Sequence, residues 1–447
     1  MTKSPATTEK VRLGKTDRWI VRYLTLCSIM YGGTYIGTYC LHTNFGVETA
    51  TMLIAGLLLI KAITIPATHG GFRGRATVLV SVLFAVALFN SLVSWNTIET
   101  SERWVLWFGI VVCFARVVGA SDGSWVEATI QRLPYLFAIL YVTVLMVSRY
   151  AVDDASVKLA YHLSGLYGNL ILASGLFSLR LWQRMLWTSI GLMAIFFSGA
   201  GGALFTIPIM FLPYILYSAS SMPVKGIAVA GFLMFGGLFF YNSNLFGQFL
   251  DIKLNANLDT SAYSGMDRLE HSKDQRLELV QYGFALAQMN PLGTGLGHTY
   301  HDLIAQEMGV AHVHNGTMTL LIELGFPGLA VVGVLLLWIF WCILRSTSVP
   351  NQIKGFYFTF FFTVFGRSLS ENYTPFDLGN FFNLVFLIFT AYFFLYQRQS
   401  WSVPFMRGGF RPGPGMPPPP GMRMPPSNLR MPPPPGMRPR PQPISMH

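Results

Sequence analysis

Thr317–Arg345 reads TMTLLIELGFPGLAVVGVLLLWIFWCILR. It holds a single acid, Glu323, and no base before the closing Arg345. A run of this length crosses the hydrocarbon core of a bilayer as a helix, and a carboxyl inside it needs a partner. Similar apolar runs recur on both sides. They place spans near 20–41, 47–66, 76–95, 103–119, 133–150, 163–180, 184–199, 202–218, 224–241, 317–345, 353–369 and 376–397. The pair meeting at Gly199–Gly202 needs a very tight turn, which glycine makes sterically accessible. The composition agrees. Of 447 residues 52% are hydrophobic and 11% charged, whereas soluble domains are about a quarter charged. A water-soluble fold of this size could not cover its surface with so few charges.

The short loops set the orientation. One alternating set carries Lys61, Arg73, Arg75, Arg116, Arg132, Arg180, Arg184, Lys225, Arg345 and Lys354, while His42–Glu48 and Asn96–Glu102 are poor in cations. By the positive-inside rule both termini are cytoplasmic. The expectation is therefore an all-α polytopic bundle of about 12 transmembrane helices in a cell inner membrane, with one large periplasmic loop. Its parts are a cytoplasmic N-terminus at 1–19, spans one to nine at 20–241, the loop at 242–316, spans ten to twelve at 317–397, and a cytoplasmic tail at 398–447. No cleavable signal peptide is evident, because the N-terminus is polar and basic through Arg18 and the first apolar run leads into more membrane. The net charge of +11 comes from membrane-flanking cations and the tail, which argues against nucleic acid as a partner. Cys27, Cys40, Cys113 and Cys342 lie apart in or beside apolar runs, so they read as small core residues. The tail repeats Met-Pro-Pro-Pro-Pro-Gly-Met-Arg at Met416–Arg423 and Met431–Arg438. Such a stretch is polyproline II or disordered, either a solvated basic tail or one that docks to an aromatic groove or anionic lipid.

The outer segment concentrates the chemistry. Ser272–Gln275 fits a capping box, and from Arg276 to Met289 the residues Leu277, Val280, Phe284 and Ala287 form one apolar stripe of a helix. Asn290-Pro291 ends it. Gly293, Gly295 and Gly297 are spaced as in some phosphate loops, but no strand precedes them and no Lys-Ser/Thr follows, so they read as a flexible turn. His298, His301, His312 and His314 then crowd together. Three readings stand: surface or helix-cap histidines; a metal site, for which no nearby cysteine completes a standard set; or a base at the membrane surface, suited by a pKa near neutral. His162 and Asn169 fit satisfied core groups, and Arg367 and Glu371 flank the last outer loop and can pair.

Arg276-Leu-Glu-Leu, Asn290-Pro-Leu-Gly293-x-Gly295-x-Gly297, His314-Asn315 and Glu323-Leu-Gly325-x-Pro327-Gly328 together resemble the signature of the O-antigen ligase and O-antigen polymerase family, which includes bacterial exopolysaccharide polymerases. Gly165-Leu-Tyr-Gly168-Asn169 is similar to a further element of that family, and the twelve-span topology matches. The motif resemblance covers roughly residues 160–330. One departure is Ser198-Gly-Ala-Gly-Gly202, which lacks the arginine that many members carry there. Either a second phosphate-binding cation comes from elsewhere, with Arg268, Lys273, Arg149 and Arg367 as candidates, or the mechanism differs.

The resemblance implies a donor glycan on a polyprenyl diphosphate, met at the membrane lipid, and a transferase needing no cofactor and no metal. The leaving group is already activated. What remains is to deprotonate an acceptor hydroxyl and neutralise the departing diphosphate. The resemblance implies His314 as the base and Arg276 as the cation, its guanidinium forking to phosphate oxygens. A cation at a helix N-terminus opposes the macrodipole, which favours a functional Arg276. Asn315 orients His314 or caps the next span. Asn315, Arg268, Lys273, His298, His301, Arg367 and Asn169 are the candidate substrate contacts. A polymerase extending exopolysaccharide comes first, a ligase to lipid A core second, and a transporter or flippase last, since no paired broken helices occur in matching halves. Polysaccharide chain-length and export proteins are the expected partners.

Overall fold

A computed structural model describes residues 13–41, 46–66, 75–150, 154–198, 201–217, 226, 265–297, 315–346 and, with gaps at 370, 372, 375 and 379, 349–401. Among the described residues the chain forms twelve helices: α1 Lys15–Cys40, α2 Val47–Ile63, α3 Arg75–Val93, α4 Thr97–Gly119, α5 Trp125–Tyr150, α6 Asp154–Gly175, α7 Leu181–Ser198, α8 Gly201–Tyr217, α9 Gly265–Met289, α10 Gly316–Arg345, α11 Asn351–Ser368 and α12 Phe381–Trp401. Eleven of them fall on the apolar runs. The twelfth, α9, is the helix expected in the outer segment. The proposed span at 224–241 and the tail after Trp401 lie outside the described residues.

Most of the described helices share one core, while Leu286 and Ala287 of α9 pack with Leu321 and Ile322 of α10 in a smaller cluster. α6 packs on α5 and α7, α1 on α5, α8 on α11, α2 on α4, and α9 on α10. Close approach is local where glycine permits it: a Cβ on Gly191 of α7 would meet the Leu172 backbone of α6. α12 is held differently. Phe381 lies against Phe137, Phe389 against Trp125 and Phe356, and Phe393 against Tyr357, so aromatic side chains fill the space between its backbone and those of α5 and α11.

The outer surface is apolar as well as the core. Leu53, Ile60, Leu92, Val105, Leu212, Val334, Leu337 and Trp341 are all exposed, far more than a monomer in water tolerates. Among the described residues, α5 and α10 are long and apolar enough to cross a membrane, and shorter apolar helices run over Thr77–Val93, Gly202–Tyr217 and Phe381–Phe393.

Several helix starts differ from the sequence reading: α5 begins at Trp125 rather than 133 and α6 at Asp154 rather than 163, and three further boundaries have a clear local cause. α4 begins at Thr97, not near 103, because Asn96 caps it: its Oδ1 accepts from Glu99 N (3.2 Å) and its Nδ2 donates to the Glu99 carboxylate (3.2 Å). α9 begins at Gly265, so Ser272 stands inside the helix and is no cap. α12 begins at Phe381 rather than 376. The residues before it belong to a folded loop, because Asn383 Nδ2 donates to Thr374 O (2.9 Å) and also to Asp377 O, and Asn380 Nδ2 donates to Asp377 Oδ2 (2.5 Å).

Candidate functional site

The glycine turn and the kink of α10 are partners. Gly325 stands at φ 70°, ψ 179°, backbone that is essentially open to glycine alone. It breaks the helix ladder and frees carbonyls of α10 for the turn. Thr294 N donates to Ile322 O (2.9 Å), Gly295 N to Glu323 O (3.0 Å), and Phe326 N to Pro291 O (3.0 Å). The two chains touch so closely that a Cβ on Gly293 would lie 2.5 Å from Glu323 O, and one on Gly325 would lie 2.5 Å from Pro291 O. The opposite side of the turn is held by α3 and α4. Asn90 Nδ2 donates to Glu323 O (2.7 Å), and its Oδ1 accepts from Leu296 N (3.1 Å) and Trp104 Nε1 (3.1 Å). Thr100 Oγ1 donates to Leu296 O (3.0 Å). Glu323, buried, turns its own carboxylate back to Gly297 N (3.4 Å). The two glycine motifs of the sequence therefore form one clasp. It anchors the C-terminal end of α9 to the middle of α10, and the turn has the role of joining helices rather than cradling phosphate.

A second polar cluster lies where α6, α10, α11 and the loop after α11 meet. Asn315 caps α10, its Oδ1 accepting from Met318 N (3.0 Å), while its Nδ2 donates to Leu369 O (3.2 Å). The next residue, Gly316, donates its N–H to Glu371 O (2.9 Å), and a Cβ there would run into Tyr373 O. Glu371 Oε1 sits 2.7 Å from His162 Nδ1 and 3.9 Å from an Arg367 terminal nitrogen. Arg367, fully buried, also donates to His162 O (3.2 Å). Burial raises the Tyr373 phenol above its ordinary range, against the pull of neighbouring Arg367, so it stays a neutral hydrogen-bonding group. The loop itself is drawn into the helices. Tyr31 OH donates to Leu378 O (2.5 Å), Tyr35 OH to Asn380 Oδ1 (3.4 Å), and Phe376 lies between Trp104 and Trp107.

The candidate residues fall into three groups. Asn315 and Arg367 are in this cluster. Asn169 is buried two turns deeper on α6 and donates to Ala203 O (2.9 Å), tying α6 to the start of α8. Arg268, Lys273 and Arg276 are on α9, with side chains outside the described residues, as are His298, His301, His312 and His314. Because α9 starts at Gly265, Arg276 lies well inside it, and the argument from an unfavourable helix-terminal cation lapses. Sequence reasoning placed His162 and Glu371 apart from each other. Their pairing spans nearly half of the chain and leaves no local pattern. Among the described residues no group of three His, Cys, Asp or Glu could hold a metal ion, and the clustered histidines of the outer segment lie outside those residues.

Residues 185–333 match the family model described as O-antigen ligase. No curated protein matches the chain significantly.

Proposed function

We propose that this membrane protein, which carries an O-antigen ligase family domain over residues 185–333, polymerises lipid-linked oligosaccharide repeats into exopolysaccharide on the periplasmic side of the inner membrane. The family supports a polysaccharide ligase or polymerase acting on a lipid-linked oligosaccharide. One observation carries the assignment of the site. The two residues after His314 are bonded into the polar cluster, Asn315 to Leu369 and Gly316 to Glu371. His314 immediately precedes Asn315 in the sequence, and this reading has it act beside the cluster that holds His162, Arg367 and Glu371.

In this reading the donor sugar is carried on a polyprenyl diphosphate. His314 removes the proton of an acceptor hydroxyl, the oxygen attacks the anomeric carbon, and the diphosphate leaves with the bonding electrons. General-base help of this kind contributes typically about 10²- to 10⁴-fold. Arg276 forks to the leaving phosphate oxygens, with Arg268, Lys273, His298 and His301 along the donor and acceptor path. No metal enters, because the leaving group is already activated. Both termini are cytoplasmic, and the basic Pro-rich tail meets chain-length and export proteins. The reading that favours a ligase rests on the family model's own description. The two differ only in acceptor, and the glycans of a deletion strain separate them. Loss of polymer with retained single repeats is the expected outcome. Normal polymer missing only from lipid A core would make the protein a ligase.

A further inference from the structure

α9 buries one face and shows another. Leu279, Leu286 and Ala287 are buried, the last two with Leu321 and Ile322 of α10. Of the apolar stripe read from the sequence, only Ala287 is buried, while Leu277 and Phe284 are exposed. The character of α9 also changes along its length. Residues 265–278 hold seven charged side chains, and residues 279–297, which run on through the glycine turn, hold none. In that uncharged part Phe284, Met289 and Leu292 are 42%, 68% and 45% exposed. Phe284 stands edge to face on Phe326 of α10, with ring centroids 6.1 Å apart, and Phe326 is exposed too. A contiguous apolar patch of this kind marks a surface that something covers.

The place of Phe326 on α10 says what covers it. Phe326, Ala330, Val334, Leu337 and Trp341 are all exposed and recur at every third or fourth residue, which puts them on one face of the helix. The stripe closes at Arg345, whose guanidinium lies over the Trp341 ring at 4.1 Å. From Phe326 to Arg345 is about 29 Å at the rise of an α-helix, which matches the thickness of the hydrocarbon core. Exposed rings at both ends and a cation at one are the pattern of interfacial anchors. α3 gives the same level independently. From Arg75 to Val93 is about 27 Å, and just past Val93 the backbone of Trp95 donates to Thr294 O in the glycine turn (2.9 Å). Leu92 and Trp95 at that end are exposed as well. Measured from their basic ends, α3 and α10 thus bring the glycine turn and the C-terminal end of α9 to one boundary of the hydrocarbon.

We propose that α9 is seated in the membrane surface. Its C-terminal end, from Phe284 through Leu292 in the turn, occupies the interfacial layer of the bilayer, where Phe284, Met289 and Leu292 join Phe326 against lipid chains. The charged part of α9, up to Glu278, stands in water. The partner of this face is the lipid surface itself, because the patch continues the lipid-facing stripe of α10. The inference goes beyond the proposed transferase function and stands without it.

The test uses the purified full-length protein in phosphatidylcholine vesicles. A photoreactive p-benzoylphenylalanine is placed in turn at Phe284, at Leu337 in the middle of the α10 stripe, and at Glu278. All three positions are exposed, so the larger ring needs no room in the core. After irradiation the adducts are identified by mass spectrometry. The expected result is acyl-chain adducts at Phe284 in a yield comparable to Leu337, and none at Glu278. Adducts at Phe284 to another segment of the chain or to a second copy overturn the proposal. So does an absence of lipid adducts there when Leu337 forms them, or an equal lipid yield at Glu278 and Phe284. A protein that gives the expected adducts but turns over no lipid-linked donor defeats the transferase reading and leaves this one standing.

Discussion

Glu323 shows what the residue scale adds. A carboxyl in an apolar run needed a partner, and the structure supplies Gly297 N and a place beside Asn90. The same residue gives its backbone carbonyl to Gly295 and to Asn90, so an acid that invites a catalytic reading is tied into the join between two segments. Asp17 makes a similar point at the other end of the molecule. It is buried, and its Oδ1 accepts from Trp125 N (3.2 Å). Burial first, then a hydrogen bond with Asp122, raises its carboxyl above the ordinary value. The sign follows directly. A raised folded-state pKa means the folded protein binds more protons than the unfolded chain in the window above the usual Asp value, so this group costs stability as pH rises through it. Asp122 is lowered despite its own burial, because hydrogen bonds from Ser124 and Asp17 outweigh it, and it works in the opposite direction. Asp17→Asn keeps an oxygen for Trp125 N and removes the buried charge. Thermal-shift measurement should find the variant more stable than wild type near pH 7, with the gain shrinking toward pH 4. A gain that grows on acidification would contradict the assignment.

At the scale of elements, the clasp of the glycine turn with the kinked α10 holds α9 in place. Gly325→Ala asks a Cβ to occupy backbone space already filled by Pro291 and Gly293, at a φ that L-residues avoid. The strain alone costs about 1–3 kcal/mol. The expected outcome is a protein that still inserts, with lowered thermal stability and sharply reduced transfer, because the helix carrying Arg276 is released. Gly333→Ala is the matching control on the same helix, since a Cβ there meets nothing. Equal activity of the two variants would detach the clasp from function. Most elements could be read from the chain. Apolar length alone located the helices that match the runs, since lipid demands it. The ends were less legible. α12 was read five residues early because Phe376 and Leu378 are apolar, and only the tertiary hydrogen bonds of Asn380 and Asn383 reveal a loop there. The Asn96-x-x-Glu99 cap is a local pattern in the sequence, but it lies in a polar stretch ahead of the apolar run that marks the span. The His162–Glu371 pair had no local signal, because contact across such a separation is written only in the fold.

At the scale of the whole molecule, the proposed function depends on which side of the membrane the segment between α8 and α10 occupies. A reporter fused after Asp259 should give a periplasmic signal, and one after Gln399 a cytoplasmic signal. A cytoplasmic signal from the first would put the donor on the wrong side of the membrane. Deleting everything after Pro404 should leave insertion and catalysis intact, because the tail lacks apolar residues to join a core. A truncated protein that inserts normally but has no transferase activity would show that the tail belongs to the catalytic unit. The central claim, a proposal, is that His314, the residue before Asn315, performs the transfer with Arg276. The direct measurement is conversion of lipid-linked repeats to longer glycan by purified wild type, His314→Ala, Arg276→Lys and His312→Ala. The account predicts a loss of about 10²- to 10⁴-fold for His314→Ala. It predicts severe impairment for Arg276→Lys, since an ammonium keeps the charge but not the fork, and a smaller effect for His312→Ala. Wild-type rates from both His314→Ala and Arg276→Lys would contradict it.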